Sequence, residues 1–130
     1  MTHQIEQTVE FDAASETIYN LITDEEKHTA FTGMEAKIDN TVGGKFTAYA
    51  GNISGENTEL VPHSKISQKW RGEDWEKGIY STLTYSLTEK DGKTTVKFTQ
   101  NGVPDPEVEK IAQGWHDFYW NKINEYLEKS

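Results

Sequence analysis

The sequence contains no cysteine, and this absence removes several kinds of chemistry at once. A chain without thiols can form no disulfide, no thiolate nucleophile and no cysteine-ligated zinc site. The four histidines are isolated as well, because no two of them stand one, three or four residues apart, the intervals at which neighbouring side chains share a metal ion. The sequence therefore predicts neither a metal site nor a cofactor.

Basic residues are scarce too: 13 Lys and Arg stand against 22 Asp and Glu, which leaves a net charge of −9. Because this charge repels a phosphate backbone, nucleic acid is not expected as a partner. No apolar run approaches the roughly 20 residues that cross a bilayer, and residues 1–6 are too polar for a signal peptide. We expect a cytoplasmic protein without membrane insertion, and one domain over residues 1–130 that remains a monomer.

The C-terminal stretch 105–128 carries the clearest periodic pattern in the chain. Asp105 and Pro106 form a typical helix start, because Asp accepts a bond from the first N–H groups and Pro lacks an N–H that would stay unpaired. Apolar side chains then recur at steps of three and four and share one face: Val108, Ile111, Trp115, Tyr119, Ile123 and Tyr126 or Leu127. The pattern predicts one continuous helix whose apolar face packs on the rest of the protein.

The residues before this helix are predicted to form mostly β-sheet. Alternating apolar residues in 5–11 indicate a first strand, after which Ser15 caps a short helix and Thr23 or Asp24 begins a second one. From residue 34 onward, strands are separated by short turn signals, of which 90–93 is the clearest hairpin. Because short turns join antiparallel neighbours, we predict a meander of five or six strands and an α+β fold.

The inner face of this sheet contains three polar residues: Gln68, Ser81 and Tyr85. They stand in the inward-facing set of alternating strand positions, which is otherwise apolar. A buried polar group without a partner costs about 1–3 kcal/mol, so each needs a bond. One interpretation is that these groups bond one another, the backbone or buried water. The other is that they line a pocket between the sheet and the helix, since small-molecule sites are apolar with a few convergent polar groups.

The pocket interpretation rests on the mixture of bulky and small side chains on the inner face, which leaves hollows unless partners fill them. Gln68 and Tyr85 would orient a ligand, and the short helices of 18–31 would form the mouth. No candidate has an evident base beside it and His116 is expected outside, so we predict no catalytic residue and no enzyme. The candidate ligand-binding residues are Phe46, Gln68, Trp70, Ser81, Leu83, Tyr85, Trp115 and Tyr119.

Two tryptophans are candidate partner-surface residues. Trp75 stands among charged residues in a turn, where it either folds back as a plug or marks a contact surface. Trp120 belongs to the aromatic run 115–120, whose members cannot all face one way on a helix, so Trp120 or Phe118 is expected at the edge of the interface. Gly114 costs about 1 kcal/mol relative to Ala in a helix and admits close approach by the sheet or a ligand.

Six short motifs occur in an order that resembles a known family. They are Gly43-Gly44-Lys45-Phe46, Gly51-Asn52-x-Ser54-Gly55-Glu56, Leu60-Val61-Pro62, Trp70-Arg71 with Trp75 and Gly78, Asn101-Gly102-Val103-Pro104, and Gln113-Gly114-Trp115-x-x-x-Tyr119. This order resembles the C-terminal domain of the activator of the heat-shock protein 90 ATPase, a branch of the START-like (SRPBCC) helix-grip superfamily. The resemblance implies a curved antiparallel sheet that wraps around the long C-terminal helix, with two short helices after the first strand.

The resemblance leaves three functions open. The first is a non-enzymatic domain that holds a small hydrophobic ligand between the sheet and the C-terminal helix. The alternative is a co-chaperone-like module that binds heat-shock protein 90. A polyketide cyclase-like enzyme is the third, and the lack of a catalytic residue shared by the family disfavours it.

Overall fold

A computed structural model of the chain describes residues 2–129, with side chains from residue 4 onward. Within that range seven antiparallel strands form one curved sheet in the order β1-β7-β6-β5-β4-β3-β2. The predicted meander is confirmed, because each strand from β2 to β6 pairs with the next strand along the chain, and β1 closes the far edge against β7. The strands are β1 Thr2–Phe11, β2 Lys37–Ile38, β3 Lys45–Ala48, β4 Ile53–Val61, β5 Lys65–Gly72, β6 Ser81–Lys90 and β7 Lys93–Pro104.

The hairpin between β6 and β7 has the turn that its sequence predicts. Lys90 pairs with Lys93, and the two residues between them, Asp91 and Gly92, have φ angles of 55° and 78°. Positive φ at both central positions is the backbone of a type I′ turn, whose twist matches that of the flanking strands. The turn sets the register between β6 and β7, two of the longest strands of the sheet.

Two short helices follow β1: α1 (Ser15–Thr23) and α2 (Glu25–Thr32). Asp24 caps α2, since its Oδ1 accepts a bond of 3.0 Å from the backbone N–H of Lys27. The predicted cap of α1 is wrong in detail. Ser15 is the first helical residue rather than its cap, and its backbone N–H and hydroxyl both donate to Glu89 Oε1 on β6.

The C-terminal helix differs from the continuous α-helix predicted for residues 105–128. A 3₁₀ turn (Asp105–Glu107) leads into α3 (Val108–Trp115), a π-helical turn follows (His116–Trp120), and α4 (Asn121–Lys129) ends the described chain. A π turn pairs residues five apart instead of four and therefore widens the helix locally. No helix within residues 2–129 combines the length and apolar character that crossing a bilayer requires.

The π turn explains why the prediction for Trp120 is wrong. On an α-helix, residues five apart lie about 140° from each other, so Trp115 and Trp120 could not share a face. Across the π turn both become buried, with 2% of each residue exposed, and their rings stack at 5.6 Å between centroids. Phe118 is turned outward instead and is 52% exposed. Trp120 is thus a core residue and not part of a partner surface.

Two glutamines of the sheet hold these two tryptophans. Trp115 Nε1 donates to Gln100 Oε1 at 2.8 Å, and Trp120 Nε1 donates to Gln7 Oε1 at 2.7 Å. Each amide also donates: Gln100 Nε2 to the hydroxyl of Ser81 and Gln7 Nε2 to the carbonyl of Ala112, both at 2.9 Å. Because every one of these groups finds a partner, the polar interior fixes the helix on β1 and β7 at little cost in desolvation.

Replacement of Gln100 by Leu is expected to destabilise the protein by about 1–3 kcal/mol, because the buried indole N–H of Trp115 loses its acceptor. The measurement is urea denaturation of the variant and the wild type. Thr99→Val serves as the matched control, since Thr99 is the half-buried neighbour on the opposite face of β7, and its effect should stay within about 0.5 kcal/mol. Equal midpoints for Gln100→Leu and the wild type would show that this bond does not hold the helix.

Candidate functional site

A cleft of about 510 Å³ opens between the C-terminal helix and the end of the sheet at β4 and β5. This volume falls within the usual range for small-molecule sites. The lining is mostly apolar and aromatic, with charged residues from a loop and from α3. The lining residues are Tyr49, Asn52, Ile53, Trp70, Gly72, Glu73, Asp74, Lys110, Ile111, Gly114, Trp115, Phe118 and Tyr119.

The aromatic walls of the cleft form one connected set of rings. Trp70, from the inward frame of β5, lies 5.7 Å from Trp115, whose ring is 4.6 Å from that of Tyr119. Tyr49 continues the set, with its ring 5.9 Å from Tyr119 and 5.5 Å from Phe118. Such contacts stabilise aromatic pairs beyond their buried area and keep the rings in place. The walls are therefore preorganised.

Tyr49 occupies a strained backbone position at the edge of this cleft. Tyr49 and Ala50, in a 3₁₀ turn between β3 and β4, have φ angles of 51° and 56°, in the left-handed region that residues other than glycine rarely adopt. The Tyr49 hydroxyl donates to the carbonyl of Phe118 inside the π turn, and burial raises the pKa of this hydroxyl. The two irregular segments, one on each side of the cleft, thus contact each other directly.

Gly114 keeps the helix side of the cleft open. A Cβ built at this position would have only the Phe118 ring within 4 Å, at 3.6 Å. The residue therefore has no steric need to be glycine, although glycine costs about 1 kcal/mol in a helix relative to Ala. A side chain at this position would occupy space within the cleft.

The rim of the cleft carries charges of both signs. Lys110 Nζ lies 3.1 Å from Asp74 Oδ2 and 3.7 Å from Glu107 Oε1. The hydrogen bond from Lys110 lowers the pKa of Asp74, and the same bond raises the pKa of Lys110. Both side chains of the shorter pair are more than 60% exposed, so solvent screens the attraction. Glu73 lies beside them, anchored by its backbone N–H, which donates to the carbonyl of Asn52 at 2.8 Å.

Trp75 folds back as a plug and does not form a contact surface. Only 6% of the residue is exposed, and its ring packs edge-on against Trp70 at 5.6 Å. Arg71 Nη2 donates to the carbonyls of Trp75 and Glu76 at 2.5 and 3.3 Å and holds the loop down. Gly72 makes room for the indole, since a Cβ there would lie 3.0 Å from Trp75 Nε1. Of the two alternatives for Trp75, the plug is therefore correct, and Trp75 is not a partner-surface residue.

Three of the eight predicted ligand-binding residues line the cleft: Trp70, Trp115 and Tyr119. Two of the polar candidates, Gln68 and Ser81, form hydrogen bonds inside the protein. Gln68 Nε2 donates to Asn57 Oδ1 at 3.0 Å, and Ser81 Oγ donates to the carbonyl of Trp70 at 2.8 Å. Of the two interpretations of these residues, bonding within the protein is therefore correct, and lining of the pocket is not. The candidates that are buried away from the cleft lining are Phe46, Gln68, Ser81, Leu83 and Tyr85.

The mouth of the cleft also differs from the prediction, because no residue of α1 or α2 lines it. The exposed lining residues place the mouth between residues 72–74 and the C-terminal helix. Sequence reasoning missed Tyr49, Ile53 and Ile111 as wall residues. Ile111 had a usable signal in its place on the apolar stripe of the helix, and Ile53 had one in the inward frame of its strand, whereas the position of Tyr49 depends on an irregular turn.

His28 is a buried residue that the sequence did not single out. It is 4% exposed, its Nε2 lies 2.9 Å from the Tyr119 hydroxyl, and its Nδ1 has no hydrogen-bond partner among the described residues. Burial lowers the pKa of His28 to about 4. Since His28 belongs to α2, which does not line the cleft, its bond to Tyr119 is a core contact. No cluster of three metal-ligating side chains occurs in the described part of the chain, and His116 is exposed.

A sheet that grips a C-terminal helix, with a cleft between the two, defines a START-like helix-grip domain. Residues 12–128 match the family model described as "Activator of Hsp90 ATPase homolog 1-like protein". The chain therefore belongs to the family of proteins like the activator of the heat-shock protein 90 ATPase.

Among its relatives is the human "Activator of 90 kDa heat shock protein ATPase homolog 1", which is 37% identical over 115 residues, 88% of this chain and 34% of the relative. The Dictyostelium discoideum homologue is 41% identical over 110 residues, 82% of this chain and 28% of the relative. The chain thus spans about a third of these proteins. The crystal structure of an HSP90 activator from Plasmodium falciparum superposes with a TM-score of 0.92 at 32% identity, over 96% of each chain.

Acidification is expected to destabilise the fold through His28. The unfolded chain protonates His28 near pH 6.5, whereas the folded protein does so only near pH 4. The contribution of the neutral, buried His28 to the free energy of unfolding is therefore complete above pH 6.5 and is lost as the pH falls from 6.5 to 4. Between pH 6.5 and 5 the loss amounts to about 2 kcal/mol. His28→Gln should lack this part of the pH dependence of the free energy of unfolding. The exposed control His116→Gln should retain it, and parallel curves for all three proteins would contradict a neutral, buried His28.

Proposed function

We propose that this chain is a non-catalytic domain that binds heat-shock protein 90. The observation that carries the proposal is the superposition on the Plasmodium falciparum activator, which extends over 96% of both chains at 32% identity. The likeness is thus not confined to one element or to the core alone. Because the chain spans only 34% of the human relative, the activity of that whole protein is not carried over, and binding is the part proposed.

The charge of the chain supports such an interaction. A net charge of −9 favours docking on a basic surface of a partner, with fast association that weakens as salt screens the charges. The proposal includes a monomeric protein in the cytoplasm.

The test is a titration of the chain with the chaperone from the same organism, followed by calorimetry at two salt concentrations. We expect saturable binding that weakens as the ionic strength rises, because exposed charges are screened beyond about 10 Å at 0.1 M salt. An unrelated domain of similar size and negative charge is the control for non-specific attraction. Absence of binding at low salt and high micromolar concentration, or equal binding of the control, would rule the proposal out.

A second candidate function is the binding of a small, mostly apolar molecule in the cleft. The observation that favours it is the cleft itself, with its volume of about 510 Å³ and its connected aromatic walls. Catalysis is not part of this candidate. The Tyr49 hydroxyl bonds a backbone carbonyl, and the Tyr119 hydroxyl bonds a histidine that does not line the cleft, so neither hydroxyl has a free base beside it on the cleft side.

A chemical-shift titration with fatty acids, sterols and flat aromatic compounds tests this second function. We expect shifts of the indole signals of Trp70 and Trp115 with at least one class, and a stabilisation of about 2.7 kcal/mol at 100 times the dissociation constant. Gly114→Trp should fill the cleft and abolish binding, whereas the matched variant Gly114→Ala should fold and bind. No shift with any class, or undiminished binding by a folded Gly114→Trp protein, would refute a ligand in the cleft.

A further inference from the structure

We propose that the occupant of the cleft is a cationic amphiphile, with an apolar, ring-containing body between the aromatic walls and a positively charged head at the mouth. This proposal rests on the second candidate function, that the cleft holds a small molecule. It adds the charge of that molecule and the position of its head.

The interior of the cleft suits an apolar body with rings. Five aromatic side chains line it, and they contact one another at centroid distances between 4.6 and 5.9 Å. A ring inserted among them can stack or pack edge-on, as aromatic pairs prefer. The faces of such rings are negative, so they attract a cation that approaches within about 6 Å and repel an anion at the same place. The walls thus already discriminate by charge.

The charged residues among those that line the cleft are exposed and therefore belong to its rim: Glu73, Asp74 and Lys110. Lys110 would favour an anionic ligand if it stood alone. It does not, because Asp74 lies 3.1 Å and Glu107 3.7 Å from its ammonium group. One ammonium thus faces two carboxylates, and Glu73 adds a third at the mouth. The rim therefore carries an excess of negative charge.

The position of Glu73 makes it the residue that a cationic head would meet. Its backbone N–H is fixed on the carbonyl of Asn52, another lining residue, at 2.8 Å, and its side chain is exposed. The field of the whole chain acts in the same direction, because a net charge of −9 concentrates cations near the surface and lowers the local concentration of anions. A fatty-acid carboxylate at this mouth would meet repulsion from the rim and from the chain.

Three compounds that share one naphthylmethyl body test the proposal: a trimethylammonium, a neutral methyl ether and a carboxylate. Binding to the full chain is measured by calorimetry at low salt. We expect the cation to bind about threefold to tenfold more tightly than the ether, and the carboxylate to bind least tightly. Added salt should weaken the binding of the cation but leave the binding of the ether unchanged.

Glu73→Gln is expected to remove most of the preference for the cation while leaving the affinity for the neutral ether intact. The matched control is Glu10→Gln, which changes the net charge equally but lies exposed on β1, at the far edge of the sheet. Equal affinities for the three compounds, tightest binding of the carboxylate, or an unchanged preference in Glu73→Gln would each overturn the proposal. If none of the three binds, the small-molecule function falls together with it.

Discussion

The two hydrogen bonds from tryptophan to glutamine across the helix–sheet interface determine much of this structure. Each buried indole N–H would cost about 1–3 kcal/mol without an acceptor, and both acceptors lie on the adjacent strands β1 and β7. Because Trp115 and Trp120 are five residues apart, an α-helix could satisfy only one of them from the same face. The π turn allows both bonds, and it turns Phe118 outward to the wall of the cleft. The cleft therefore owes its shape to the way in which the helix is anchored elsewhere.

Patterns of period two and short turns were sufficient to predict the sheet. Gln68 and Trp70, which the sequence places on the inner face of β5, are buried as expected, and the hairpin at 90–93 has the turn that its residues require. The family resemblance indicated the helix-grip arrangement, which the superposition on a solved family member confirms. These features depend on neighbours along the chain or on motifs in order, and both are visible in a sequence.

The features that escaped prediction depend on contacts between distant residues. A period of 3.6 cannot reveal a π turn, so the sequence left open whether Trp120 or Phe118 lies at the edge, and only Phe118 does. The sequence also could not decide whether Gln68 lines a pocket. Its hydrogen-bond partner Asn57 lies on the neighbouring strand β4, and the pairing of β4 with β5 is irregular between Asn57 and Glu59. The wall residue Tyr49 depends on two successive left-handed residues, and neither Tyr nor Ala signals that conformation.

The two ends of the helix–sheet interface differ in two respects. Their polar groups are hydrogen-bonded to different extents, and the backbone is strained at only one end. At the end near β1 and β7 both indole N–H groups are paired, and each glutamine amide both donates and accepts a hydrogen bond. At the cleft end Tyr49 and Ala50 are strained, and two buried nitrogens next to the lining residues 72–74, Arg71 Nε and Trp75 Nε1, have no hydrogen-bond partner in the described structure. Strain and unpaired polar atoms each reduce stability, so packing alone does not account for them. Departures from local optimum concentrate where a protein binds something, and we propose for this reason that the domain binds at the cleft rather than along the well-satisfied remainder of the interface.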